Sequence, residues 1–327
     1  MNINSIKKSD WYEDYIVHWR PTNMCNYDCS YCDSSNHLLI NKSKLPSVEN
    51  LINAARKIRD SIPLDKSILV YITGGEPFLI KDVHKWLDWM SENNMRVGIF
   101  TNGSLPSKIY DLSKQSFKNV NVKISFHPEF AEVDKIVELA NTIKENNGNV
   151  EIRGMLAQGL FDKVFELESK IGDVPVTKLP VFPLYNQTLK KVNPTYSSSR
   201  YLEGYNQRMD DGDLGYYTEE ELTIIKNLKQ NNPEYLNIII NDEIKSNAVD
   251  LVTSRSNKFT GWKCGIVNKK ILIQANGDIQ YGACNNTGTI GNIFTDNVEL
   301  FKEEWTICNK RTCTTLDEIM ITKSKIS

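Results

Sequence analysis

The chain has 327 residues, 40% hydrophobic and 24% charged, which is enough for one large core or one core with an appended module. A formal net charge of -2 gives no long-range attraction for polyanions, and Lys-rich stretches such as "KSKL" and "TLKKV" do not alternate with aromatics, so nucleic acid is unsupported as a partner. The opening "MNINSIKKSDWYEDY" lacks an apolar run of signal-peptide length and "LNIII" is far too short for a membrane span, so a cytoplasmic protein with no membrane partner is expected.

From about residue 15 to 183, short β-rich runs alternate with amphipathic stretches, the pattern of βα units around a parallel sheet. The predicted strands are 15–19, 68–72, 96–100, 120–125, 149–153 and 176–182, and six strands fit a barrel-like sheet. Leu51, Ala54, Ala55 and Ile58, and again Ile136, Leu139, Ala140 and Ile143, repeat at i, i+3, i+4 and i+7, so each set paves one helix face against that sheet. Residues 184–217 lose the period and gain Ser, Asn, Gly and Tyr; they read as a long connection whose Tyr185, Tyr196, Tyr201 and Tyr205 either cover the barrel opening or simply order a surface linker. Thr218 with Glu221 three residues later forms a capping-box pattern that opens a helix to about Lys229. Near the C-terminus, "KKILIQANGDIQYGAC" places Asn276-Gly277 between two β-rich runs, a hairpin signal. The domains expected are therefore 1–183, a connection with a helix at 184–259, and a small module at 260–327.

Seven cysteines, an odd number, point to metal or catalytic thiols rather than a disulfide framework. Cys25, Cys29 and Cys32 follow the first strand in a C-x3-C-x2-C spacing. That spacing allows a zinc site, with His37 as a fourth ligand, but the low-His chain and short loop favour three corners of an iron-sulfur cubane. The second strand runs into "TGGEPFL", the third into "TNGS", the fourth into "FHPEF", and the fifth ends at Arg153. In parallel βα folds the loops after the strands converge on one face, so these residues are expected to be neighbours. Gly74 and Gly75 permit close backbone approach, and Pro77 fixes the chain after Glu76, turning carbonyls and an acidic group toward the mouth. His18 and His84 read as structural.

The C-x3-C-x2-C loop after strand one, with Tyr31 before the last Cys, together with GGEP after strand two, resembles the radical SAM enzyme superfamily. The resemblance implies an α/β fold, a partial (β/α)6 TIM-like barrel. It also implies that Cys25, Cys29 and Cys32 ligate three irons of a 4Fe-4S cluster, the fourth iron being left to S-adenosylmethionine. By the same resemblance Gly74, Gly75, Glu76 and Pro77 receive the methionyl ammonium and the backbone at Tyr31 meets the adenine edge. Ser125 or His127 lies near the ribose, Asn102 offers a further polar contact, and Arg153 pairs with the methionyl carboxylate or with a barrel acid. Cys264, Cys284, Cys308 and Cys313 are spaced C-x19-C-x23-C-x4-C around the hairpin. On spacing alone they suit structural zinc; beside such a barrel they are similar to a SPASM-related twitch domain, which implies one auxiliary 4Fe-4S cluster. They fall short of the full SPASM pattern of seven cysteines.

The implied activity is reductive cleavage of S-adenosylmethionine to a 5'-deoxyadenosyl radical that removes a substrate hydrogen atom, with a flavodoxin- or ferredoxin-type electron donor. If three thiolates hold one cluster and four the other, no Cys remains to return a hydrogen atom, so net two-electron oxidation is favoured over epimerisation. The substrate expected is a small molecule of sugar or aminocyclitol type; the alternatives are a ribosomally made peptide, or a non-catalytic iron-sulfur electron-transfer role.

Overall fold

The computed structural model describes residues 3–8, 14–32, 45–113, 116–181, 217–228, 237–248, 251, 256–310, 313 and 315–326. The chain begins with β1 (Ser5–Lys8), then builds six parallel strands: β2 (Tyr15–Thr22), β3 (Ile68–Gly74), β4 (Met95–Thr101), β5 (Val120–Phe126), β6 (Asn149–Leu156) and β7 (Val176–Pro180). They lie side by side in chain order, as the six predicted β-rich runs require. The sheet is an open arc with helices on one face, the partial barrel that the sequence led us to expect.

Between the strands come α1 (Val48–Asp60), α2 (Val83–Glu92), α3 (Pro106–Tyr110), α4 (Ser116–Asn119), α5 (Val133–Glu145) and α6 (Phe161–Lys170). Ser47 opens α1 by accepting the Asn50 N–H at 3.2 Å, satisfying one of the free donors of the first turn. The apolar stripes of α1 and α5 are buried as their 3.6-residue period demands. They meet Val17, Val70, Ile72, Val97, Ile99, Val122 and Ile124, alternate residues of the strands, in one continuous core. Trp19 and Trp86 pack edge to face at 4.8 Å within it.

The same alternation sends a different set of side chains to the inner face. His18 and Tyr71 are register partners with rings 5.3 Å apart, and Phe100, Lys123 and Glu151 form the next row across β4, β5 and β6. Ser125 and Arg153 pair one row higher. The barrel interior is therefore charged, whereas its helix-facing side is dry.

The capping box at Thr218 and Glu221 forms as read, on a helix at Glu219–Asn227. Tyr217 just before it receives the Val181 N–H at 2.8 Å and reaches the Leu156 carbonyl at 2.7 Å, tying the helix start to the ends of β6 and β7. The four tyrosines of the expected connection lie outside the described residues.

Strands cross the expected boundaries in two places. β1 leaves the barrel and joins a second sheet with β8 (Asn237–Ile240), β9 (Ile244–Asn247), β10 (Lys263–Cys264), β14 (Thr306–Ile307) and β15 (Lys323–Ser324), in the order β14-β10-β15-β1-β8-β9. The Asn276-Gly277 hairpin, β11 (Lys270–Ile273) with β12 (Asp278–Gln280), forms as predicted, Gly277 taking the turn at φ +89°. Yet β11 pairs in parallel with β2, Lys270 opposite Ile16 through Ile273 opposite Trp19, while β12 pairs with β13 (Thr289–Asn292), so the hairpin extends the barrel sheet. No helix among the described residues is long and apolar enough to cross a membrane.

Candidate active site

The three N-terminal cysteines stand where β2 ends, held by the loop after β3. Gly75 N–H donates to the Thr22 carbonyl at 2.9 Å and Glu76 N–H to the Met24 carbonyl at 2.7 Å, so the two loops run against each other. The approach is so close that only glycine fits. A Cβ on Gly75 would lie 1.9 Å from the Met24 carbonyl oxygen, and one on Gly74, already at φ +113°, would lie 2.4 Å from that of Thr22.

Glu76 does not turn its acid to the mouth as expected. Its side chain is 1% exposed and accepts three hydrogen bonds: from Phe78 N–H at 3.0 Å, Thr101 Oγ1 at 2.9 Å and Asn102 N–H at 2.7 Å. Burial still pushes its pKa up to about 7, against the opposing pull of those donors. Pro77 directs this inward turn by starting a short 3-10 helix, Pro77–Leu79, whose first free amide the carboxylate caps. The carboxylate thus locks the β3 loop to the end of β4.

Asn102 is also drawn into the scaffold. Its Nδ2 donates to Asn26 Oδ1 at 2.9 Å and approaches Cys25 Sγ at 3.7 Å, while its Oδ1 accepts from Ser104 N–H and Oγ. Tyr27 N–H donates to Cys25 Sγ at 3.5 Å and Cys32 N–H to the Cys29 carbonyl at 3.0 Å, which curls the loop around its thiols. Glu129 takes the Ser30 N–H at 2.8 Å and also the Ser30 hydroxyl, a strut from the β5 loop with no motif to signal it. Burial raises the pKa of Cys25 and Cys29.

Tyr31 and His127 form a second layer, with Tyr31 Oη and His127 Nδ1 2.8 Å apart and the rings stacked at 5.9 Å. Ser125 is the register partner of Arg153, so these two candidate contacts sit on adjacent strands. The Arg153 guanidinium lies 4.3 Å from the Phe100 ring centroid and 3.6 Å from Glu151 Oε1. Glu151 also takes an ion pair from Lys123 at 2.5 Å. Tyr71, Phe100, Lys123 and Glu151 had no distinguishing spacing, and only strand register identifies them as interior residues. His84 lies on α2 and plays no part at the mouth; His37 lies outside the described residues.

Both interior histidines are kept neutral. Burial pushes His127 down to about 4 and His18 down to about 3, with Lys270 adding to the effect on His18. With each folded-state pKa depressed below 6.5, the unfolded chain takes up protons that the folded one refuses. Stability is therefore present above pH 6.5 and falls as the pH drops toward 4. Anaerobic urea unfolding at pH 6.5 and pH 5 should show a loss of about 2 kcal/mol per histidine, partly removed in His18→Phe. An unchanged pH slope in that variant would show that His18 is not the source.

The other four cysteines converge separately. Cys264, Cys284, Cys308 and Cys313 line one pocket with Phe259, Ile266, Glu318 and Lys323. Burial pushes Cys284 up to about 12 and raises Cys264 and Cys313 as well. Buried thiols of this kind ionise when a metal supplies the compensating charge, and four soft sulfur donors suit iron or zinc. Among the described residues no group of three His, Cys, Asp or Glu side chains is arranged to hold a single metal ion.

Residues 19–146 match the family profile of the Radical SAM superfamily. The match runs from Trp19 in β2 past α5, and takes in all three mouth cysteines and the GGEP loop. Among solved structures, Streptococcus suis SuiB bound to precursor peptide SuiA has a TM-score of 0.50 at 16% identity, covering 89% of this chain and 65% of SuiB. Native anSMEcpe with bound AdoMet also has a TM-score of 0.50, at 14% identity, covering 88% of this chain and 80% of that one. The chain thus spans just under two thirds of SuiB, and the likeness to both is one of fold. No curated protein matches it in sequence. At the mouth, Cys25, Cys29 and Cys32 are three soft sulfur donors in one loop with the Gly74 and Gly75 backbone packed alongside, a donor set whose chemistry suits iron.

Proposed function

We propose that the chain reductively cleaves S-adenosylmethionine, abstracts a hydrogen atom from a substrate held in the barrel, and completes a net two-electron oxidation. The observation that carries the oxidative outcome is the gathering of Cys264, Cys284, Cys308 and Cys313 around one cavity, apart from the three at the mouth. All seven cysteines are then committed, and none stands over the barrel interior to return a hydrogen atom.

Cys25, Cys29 and Cys32 would hold a 4Fe-4S cluster, and the other four an auxiliary one. When bound, the first would supply the electron that cleaves S-adenosylmethionine to the 5'-deoxyadenosyl radical, and the second would take up the electron left on the substrate while the accompanying proton passes to solvent. The chain's own residues do the positioning. Gly74 and Gly75 bring loop carbonyls within reach of the methionyl ammonium, and the Tyr31 backbone, Ser125 and His127 flank the adenosine. Arg153 either offers its fork to the methionyl carboxylate or stays with Glu151. Lys123, Glu151 and Phe100 line the interior below, and the two charged side chains suit a small polyhydroxylated or amino-bearing molecule. A flavodoxin- or ferredoxin-type protein would deliver the electron, consistent with a cytoplasmic enzyme.

A second reading, oxidation of a ribosomally made peptide, takes support from the precursor peptide bound to SuiB. Site-deuterated aminocyclitols, sugars and candidate precursor peptides, incubated anaerobically with reductant and S-adenosylmethionine, separate the two. Deuterium should pass into 5'-deoxyadenosine from the small-molecule panel. Transfer from peptide alone would reassign the substrate, and iron-loaded protein that makes no 5'-deoxyadenosine would leave only electron transfer.

A further inference from the structure

The cavity of the four C-terminal cysteines contains a cation that no sequence motif signalled. Lys323, in β15, is 2% exposed, and its ammonium donates to three backbone carbonyls: Glu318 at 2.7 Å, Ile319 at 2.9 Å and Ile321 at 2.7 Å. Its three protons are thereby used, and the charge is held in place 5.1 Å from the Phe259 ring centroid. It lines the cysteine cavity without a proton to spare for a sulfur, so it acts there through charge alone.

Glu318 lines the same cavity with the opposite sign. Its Oε1 accepts from Ala283 N–H, next to Cys284, and pairs with the Lys270 ammonium at 3.2 Å. Its Oε2 is buried and has no hydrogen-bond partner among the described residues. Lys270, 0% exposed, also pairs with Asp317, so this second cation is shared between two acids. Lys310 is the other charged residue of the lining, and it is part-exposed. Lys323 is thus the cavity's fully buried cation with no carboxylate bound to it among the described residues.

We propose that Lys323 sets the reduction potential of the auxiliary centre, raising it into the range where it takes an electron from the substrate, with Glu318 as the opposing charge. The inference rests on the auxiliary-cluster reading above. Adding one electron to a centre held by four thiolates deepens its negative charge, and a buried ammonium stabilises that state far more than a solvated one. Lys323 is a tuning residue: it transfers neither electron nor proton.

The test uses the full chain with Cys25, Cys29 and Cys32 replaced by Ala, reconstituted anaerobically with iron and sulfide so that only the auxiliary signal remains. EPR-monitored redox titration should show Lys323→Gln lowering the midpoint by about 59 mV or more, a tenfold change in a one-electron equilibrium. Lys323→Arg should stay near the parent value, and Glu318→Gln should move the midpoint upward. A loaded cluster whose midpoint ignores Lys323→Gln, or two neutralising variants that shift it in the same direction, would overturn the tuning role and leave the cluster reading standing. If Lys323→Gln fails to assemble the centre, Glu318→Gln decides: an upward shift supports the proposal and no shift refutes it. Zinc in place of iron in the parent would overturn both.

Discussion

Cys29→Ala should abolish S-adenosylmethionine cleavage, whereas Cys284→Ala should leave cleavage in place and lose the oxidised product. Cys29 is 4% exposed in the curl that also presents Cys25 and Cys32, so on the proposed function replacing it removes one of three protein ligands. Changes in groups that merely support a metal ligand already cost 10–100-fold, so the loss should exceed about 100-fold. Cys284 lines the separate cavity, and its loss should spare the mouth. The measurement is 5'-deoxyadenosine and product per iron-loaded chain, under single-turnover conditions. Equal loss of cleavage in both variants, with the mouth cluster still present by EPR, would undercut the division of roles.

Gly75→Ala should be as damaging without touching a ligand. Its new methyl would lie 1.9 Å from the Met24 oxygen, 2.4 Å from the Met24 carbonyl carbon and 2.7 Å from that of Asn23. These are backbone atoms, with no flexible side-chain end to swing away. Either the cysteine loop lifts off the β3 loop or the Gly75 and Glu76 N–H bonds break. The stability loss should be about 3 kcal/mol or more, with the mouth cluster lost as well. Urea unfolding and iron content report the two effects. A fully loaded Gly75→Ala protein of wild-type stability would mean that the two loops are not pressed together.

What was legible in the sequence follows the range of the forces involved. Alternation along each strand and the i, i+3, i+4 stripes of α1 and α5 are local signals, and the structure honours them. The glycine pair was legible for the same reason, since close backbone approach leaves no choice of side chain. Glu76 was misplaced because its partners Thr101 and Asn102 come from the next strand, and nothing in GGEP itself reveals an acid turned inward. β1 has four residues and gains its stability from β15 and β8, partners far along the chain. Lys270 and Lys323 sit in "KKIL" and "ITKSK", segments that resemble solvated surface. Only their carboxylate and carbonyl partners in space make such cations interior residues.

The strand pairing that carries the hairpin onto the barrel has a consequence for how the chain avoids self-association. An open arc of six strands would present two raw flanks, β2 and β7, each a template for another copy. β11 covers the whole of Ile16–Trp19 on the β2 side, and the flank passes outward to β13, four residues long and set against an irregular register at Ile279 and Gln280. The strand that leads into Cys25, Cys29 and Cys32 is thereby an inner strand. A barrel cut away from its hairpin would expose that strand, and with it the three-cysteine loop, to aggregation. The segment between Cys264 and Cys284 is thus also the one that covers the β2 flank of the barrel sheet.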